Sequence, residues 1–213
     1  MDATEVSMND EQMPDDGALE PIEFQSPGRF SLHNPDSQLP TPAAWEPAPF
    51  VLGSEQALQR FSLPDQARSH ALALMQQARR TLCLYSPDLE PWLYNHSSIA
   101  QACTQFVLSH RHSTLRILLR DSSRAVRDGH RLIGLSRKLA SHIQIRRCHA
   151  DYPVPDGAFL LADDHGLLMR PEPDQFGGYA HYQDAARVRQ LQRLFDQTWD
   201  TSITDPDLRS FLL

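Results

Sequence analysis

The sequence predicts an α/β domain with a mixed, mainly parallel sheet flanked by helices, preceded by a disordered N-terminal arm. Three observations predict it. Composition changes sharply near residue 50. Beyond it, apolar runs of strand length alternate with stretches of helical period. Near the end, two short apolar runs bracket turn-forming residues.

The arm, residues 1–50, carries ten acidic residues against a single base, Arg29, and its prolines include those at 21, 27, 35, 40, 42, 47 and 49. With no sustained apolar period and a net charge of −9, it cannot bury enough surface to offset ordering. Its apolar islands, Ile22-Glu23-Phe24 and Trp45 to Leu52, suit docking on a partner or on the domain itself. The domain, residues 53–213, has a net charge of +2, so the total of −7 conceals an acidic arm on a slightly basic body.

The elements follow in order. Glu55 to Phe61 begins a helical pattern. Leu63-Pro64-Asp65 opens a longer helix with Ala67, Ala71, Leu74 and Met75 on its apolar face. Thr81 to Tyr85 reads as a buried strand, stopped by Ser86-Pro87-Asp88. A helix over Ser97 to Ser109 precedes a strand over Leu115 to Leu119. One helix then spans Arg124 to Leu139, and a short strand runs from Ile143 to Ile145. Phe159 to Ala162 and Leu167 to Met169 flank Asp163-Asp164-His165-Gly166, the chemistry of a β-hairpin turn. A loop through Phe176-Gly177-Gly178-Tyr179 leads to a last helix over Asp184 to Trp199. Strands separated by helices pair in parallel through right-handed crossovers, and the hairpin adds antiparallel strands. The result is a three-layer sheet.

Composition narrows the function. Cys83, Cys103 and Cys148 are odd in number and far apart, which fits buried free thiols in a reducing, cytoplasmic compartment rather than a zinc site or disulfide framework. No apolar run reaches the length of a membrane span, and Met1-Asp2-Ala3-Thr4-Glu5 lacks the basic and apolar regions of a signal peptide. No Gly-rich phosphate loop, GxSxG elbow or HExxH helix occurs, so no cofactor or metal is expected.

The strongest charge feature lies between Arg111 and Arg147, with ten bases against Asp121 and Asp128 and five histidines close by. Arg120 ends a strand, and Arg124, Arg127 and Arg131 repeat at three and four along the following helix, on one face. Ligands of open α/β sheets bind beyond the carboxyl ends of the strands, where a helix N-terminus adds partial positive charge. These four arginines are therefore candidate anion-binding residues for a phosphate or nucleic-acid backbone. The same pattern also suits a solvated helix face covered by the acidic arm. Aromatic interleaving is absent from the segment. Asp163, Asp164 and His165 invite a metal or acid–base reading, but a polar turn accounts for them as well.

The strand ending in Arg120-Asp121, the helix, the strand at Ile143, the hairpin around Asp163-Asp164 and the closing Phe195-Asp196-Gln197-Thr198-Trp199 together resemble one half of the phospholipase D-like fold, over roughly residues 64–202. That family's chemistry rests on HxKxxxxD, in which the histidine attacks phosphorus and the lysine stabilises phosphate charge. With Asp163 as the motif aspartate, Asp156 takes the histidine position and Ala158 the lysine position. With Asp164, the positions fall on Gly157 and Phe159. Neither register supplies a nucleophile or a cation. The expected Gly-Ser-x-Asn is replaced by Met169-Arg170-Pro171-Glu172.

The resemblance implies a bacterial, non-catalytic module that binds a phosphate-bearing ligand, a nucleic acid or a protein partner, such as an acetyltransferase of the GNAT superfamily. Two alternatives stand beside it. One is an active phosphodiesterase or nuclease using His149 or His165 with Arg120. The other is a structural homodimer joined edge to edge through the sheet.

Overall fold

The structure, a computed structural model, describes residues 43–152 and 155–208. The arm up to residue 42, including the island Ile22-Glu23-Phe24, lies outside the described residues.

The chain runs through β1 (Gln59–Phe61), α1 (Pro64–Gln77), β2 (Thr81–Ser86), α2 (Pro91–Tyr94), α3 (Ser97–Ser109) and β3 (Thr114–Leu119). It continues through α4 (Ser123–Arg127), α5 (Arg131–Lys138), β4 (Ile143–Arg147), β5 (Ala158–Ala162), β6 (Gly166–Arg170), β7 (Gly178–His181) and α6 (Ala185–Asp200). A single 3-10 turn, Pro206–Leu208, follows. Among the described residues seven strands form one sheet in the order β1-β7-β6-β5-β2-β3-β4. The pairs β2–β3 and β3–β4 are parallel, aligning Leu84, Ile117 and Ile145. The neighbours β2–β5, β5–β6, β6–β7 and β7–β1 are antiparallel. The sheet is therefore mixed, with a parallel core and an antiparallel wing grown from the hairpin.

Strand alternation sorts the core into two layers. Leu82, Leu84, Ile117, Ile145 and Leu160 pack beneath α1, α3, α4 and α5. Cys83, Tyr85, Leu118, Phe159 and Leu161 meet Val188, Leu191, Phe195 and Trp199 of α6 on the other face. Each fully buried leucine contributes roughly 1.5–3 kcal/mol relative to exposure. All three cysteines are free and buried, and burial pushes the Cys103 thiol up to about 12.

Residues 43–53, the end of the acidic stretch and its boundary with the domain, lie on this body. Trp45 stacks on His96 with ring centroids 4.0 Å apart. Gln77 on α1 donates to the Phe50 carbonyl at 2.9 Å and accepts from the Leu52 N–H at 2.8 Å.

Four features differ from the sequence expectation. The helical pattern at Glu55 to Phe61 forms irregular chain and then β1, because pairing with β7 satisfies its backbone and buries Phe61. The loop at Phe176 to Tyr179 leads into β7 for the same reason, extending the hairpin by a strand. Short α2 was not anticipated. The single helix over Arg124 to Leu139 is two helices, because Gly129 at φ +61° turns the chain and His130 caps α5 by accepting from the Leu132 N–H. Arg131 consequently opens α5 and shares no helix face with Arg124 and Arg127.

Candidate functional site

The carboxyl ends of β2, β3 and β4 lie side by side, and the residues that follow them build the site. Arg120 leaves β3 with its N–H shared between the Ser86 and Pro87 carbonyls, at 3.3 and 3.2 Å. Its guanidinium donates to the Tyr85 hydroxyl at 3.1 Å. Burial raises the Tyr85 pKa while Arg120 draws it down, so the phenol stays protonated at neutral pH. Arg147 closes β4 opposite Leu119 and is held by two backbone bonds of 2.9 Å with Ile203. Its Nε lies 3.8 Å from buried Asp205, which is itself bonded to the Ser122 hydroxyl. His149 follows, and its Nδ1 accepts the Asp151 N–H at 3.3 Å. That bond leaves the proton of the neutral ring on Nε2.

Arg120, Arg147, Cys148, His149, Ala150, Tyr152 and Ile203 line a cleft of about 460 Å³. Its lining holds two guanidinium groups and an imidazole and no carboxylate. The half-exposed Tyr152 ring stands edge-on to His149, with centroids 5.3 Å apart. Arg120 also borders a second cleft of about 430 Å³, shared with Asp88, Glu90, Trp92, Asp121, Arg124, Asp174 and Phe176. Carboxylates outnumber arginines there.

The four arginines expected to act together are dispersed. Arg120 alone reaches the cationic cleft. Arg124 is paired with Asp88 at 2.8 Å and Asp128 at 3.7 Å, and Arg127 with Asp128 at 3.2 Å. Arg131, on the following helix, donates its backbone N–H to Asn95 at the end of α2, at 3.1 Å. Two further bases of the segment serve the core. Arg116 ion-pairs with Asp196 at 2.8 Å and lies over Phe195 and Trp199, and Arg146 lies 4.5 Å from the Trp199 ring centroid. Arg147 and Tyr152 are the residues the sequence reading missed. Arg147 ends its strand as Arg120 ends β3, a parity that strand alignment makes visible.

Residues 63–211 match the family described as a domain of unknown function, DUF7931. The chain belongs to this family. No curated protein matches the sequence. The DUF7931 domain is similar to the phospholipase D family member Nuc from Salmonella typhimurium, with a TM-score of 0.53 at 11% identity over 73% of this chain and 100% of Nuc. It is also similar to TrmBL2, an archaeal chromatin protein with a novel mode of DNA binding, with a TM-score of 0.53 at 11% identity over 71% of this chain. The match spans 54% of the archaeal protein. NucT from Helicobacter pylori matches with a TM-score of 0.49 at 12% identity over 71% of this chain and 100% of its own. The fold is phospholipase D-like.

Asp163 and Asp164, the two candidates for the motif aspartate, sit differently in the β5–β6 turn; Asp163 is the tied one. Its carboxylate accepts the N–H groups of Arg79, Arg80 and Thr81 at 2.8, 2.8 and 2.9 Å, tying the hairpin to the start of β2. Asp164 points to solvent. His165 lines a different cleft, of about 660 Å³, with Gln77, His110 and Asp163. That cleft lies at the amino end of β2, whereas Arg120 lies at its carboxyl end, roughly 17 Å of strand away. His165 and Arg120 therefore cannot act on one phosphorus, which requires contact at about 3–3.5 Å.

Ala158, the lysine position if Asp163 is the motif aspartate, stands opposite Arg170 across the β5–β6 pair. Fully buried Arg170 forms an ion pair with Glu90, lies 4.7 Å from the Trp92 ring centroid and donates to the Pro173 and Gln175 carbonyls. Ser86 donates to the same Glu90 at 3.1 Å. Burial draws Arg170 down to about 10, so its guanidinium stays charged at neutral pH. Leu89 and Glu90 take left-handed backbone, φ 66° and 37°, to bring the carboxylate inward. Among the described residues no cluster of three metal-ligating side chains is present, and no helix is long and apolar enough to cross a membrane.

Proposed function

We propose that this domain is a non-catalytic phospholipase D-like module that binds a phosphate-bearing ligand. The observation that carries the reading is the convergence of Arg120, Arg147 and His149 on one cleft at the carboxyl ends of the parallel strands, with no carboxylate among its described lining residues. Two guanidinium groups and an imidazole N–H match the oxygens of a phosphate. Asp156 and Ala158 in one motif register, and Gly157 and Phe159 in the other, supply neither nucleophile nor cation, and buried Glu90 already neutralises Arg170 opposite Ala158. Among proteins of this fold, TrmBL2 binds DNA, a phosphate polymer.

Hydrolysis using His149 with Arg120 is the competing reading, since both line the cleft. The Nδ1 lone pair of His149 is engaged by Asp151, so the neutral ring offers Nε2–H, a hydrogen-bond donor rather than an attacking lone pair.

The test is titration calorimetry with inorganic pyrophosphate alongside an assay with bis(p-nitrophenyl) phosphate. The expected result is salt-sensitive pyrophosphate binding, weakened about tenfold by Arg147→Ala, with no hydrolysis. Hydrolysis abolished by His149→Ala overturns the non-catalytic reading. Binding indifferent to Arg147→Ala overturns the site.

A further inference from the structure

Two large aromatic side chains are exposed among the described residues, Tyr152 at 50% and Phe176 at 47%. They come from different loops, yet each borders one of the two clefts that share Arg120. Phe176 is braced edge-on by Trp92 at 4.8 Å, and Tyr152 by His149 at 5.3 Å, so both rings are held in clefts that Arg120 also lines. Exposed aromatics on either side of a cationic centre are the arrangement on which successive bases stack while their phosphate is held.

We infer that the ligand is a single-stranded nucleic acid that crosses the end of β3, with one phosphate over Arg120 and Arg147 and the flanking bases on Tyr152 and Phe176. The inference rests on the phosphate-binding reading above and gives it a ligand class. The acidic lining of the second cleft fits this polarity. Asp121 and Asp174 repel a phosphate but accept hydrogen bonds from base amino groups, so the base enters there and the phosphate stays with Arg147 and His149. A duplex is excluded from the same track because its base faces are stacked on one another.

The experiment uses the full chain and fluorescence anisotropy with a labelled single-stranded oligonucleotide, the same strand annealed to its complement, and a labelled mononucleotide. Unlabelled pyrophosphate is the competitor. The single strand is expected to bind at least about tenfold more tightly than the duplex or the mononucleotide. Phe176→Leu, outside the phosphate cleft, is expected to weaken it about tenfold while leaving direct pyrophosphate binding unchanged, and Tyr152→Leu to weaken it about tenfold where Tyr152→Phe retains it. Equal binding of single strand and duplex, or of oligonucleotide and mononucleotide, overturns the inference, as does indifference to both leucine variants. The phosphate reading then still stands if pyrophosphate competes and Arg147→Ala weakens it. Failure of pyrophosphate binding itself overturns both.

Discussion

Glu90 and Arg170, eighty residues apart in the chain, form a buried ion pair at the start of β5, where Arg170 pairs with Ala158. Removing one partner strands the other charge in the interior, at a cost of about 3–5 kcal/mol. Glu90→Ala and Arg170→Ala are each expected to lose that much in urea denaturation. The double variant Glu90→Gln/Arg170→Met should lose less than the sum of its single changes, because the two sites share one interaction. A loss below about 1 kcal/mol in both alanine variants contradicts the pair's structural role.

Asp163 and Asp164 are neighbours with opposite expectations. Asp163→Ala removes the acceptor of three backbone N–H groups and should cost about 2–4 kcal/mol. Asp164→Ala touches an exposed side chain and should stay within about 0.5 kcal/mol of the parent. Thermal denaturation of the two variants side by side decides the matter.

His130 makes stability depend on pH. Burial lowers its folded pKa to about 4 from the ordinary 6.5. Between those values the unfolded chain takes up a proton that the folded chain refuses, so stability is full above about pH 6.5 and falls as the pH drops toward 4. The total loss is about 3 kcal/mol. Burial lowers His70 in the same direction. His130→Asn keeps a capping acceptor for Leu132 and does not titrate, so its urea midpoint should change less between pH 7 and pH 5 than that of the parent.

Two glycines separate backbone strain from crowding. Gly129→Ala meets open space and pays only for φ +61°, about 1 kcal/mol. Gly157, at φ +74°, has the Arg170 carbonyl oxygen 2.5 Å from where a Cβ would sit, so Gly157→Ala should cost at least twice as much. Equal midpoint shifts for the two variants contradict this packing.

The sequence by itself determined the elements whose residues repeat with a local period. The helix Ser97–Ser109, the strands at Thr81, Leu115 and Ile143, the hairpin and the last helix all declare which side is apolar, and burial follows that side. It also gathered ten of the twenty basic residues between Arg111 and Arg147, and placed no histidine or lysine at the motif positions counted back from Asp163 or Asp164. Only the tertiary structure decided what depends on partners remote in the chain. β1 and β7 exist because they pair across more than a hundred residues, a gain no local period encodes. Asp163 was separated from Asp164 by backbone donors 82 to 84 residues away. The arginines were sorted by the ends of the parallel strands: Arg120 and Arg147 face one cleft, Arg116 and Arg146 brace α6, and Arg124 and Arg127 meet acids. The aromatics absent from the basic segment reach its cleft from other loops, because a fold brings together surfaces that the chain keeps apart.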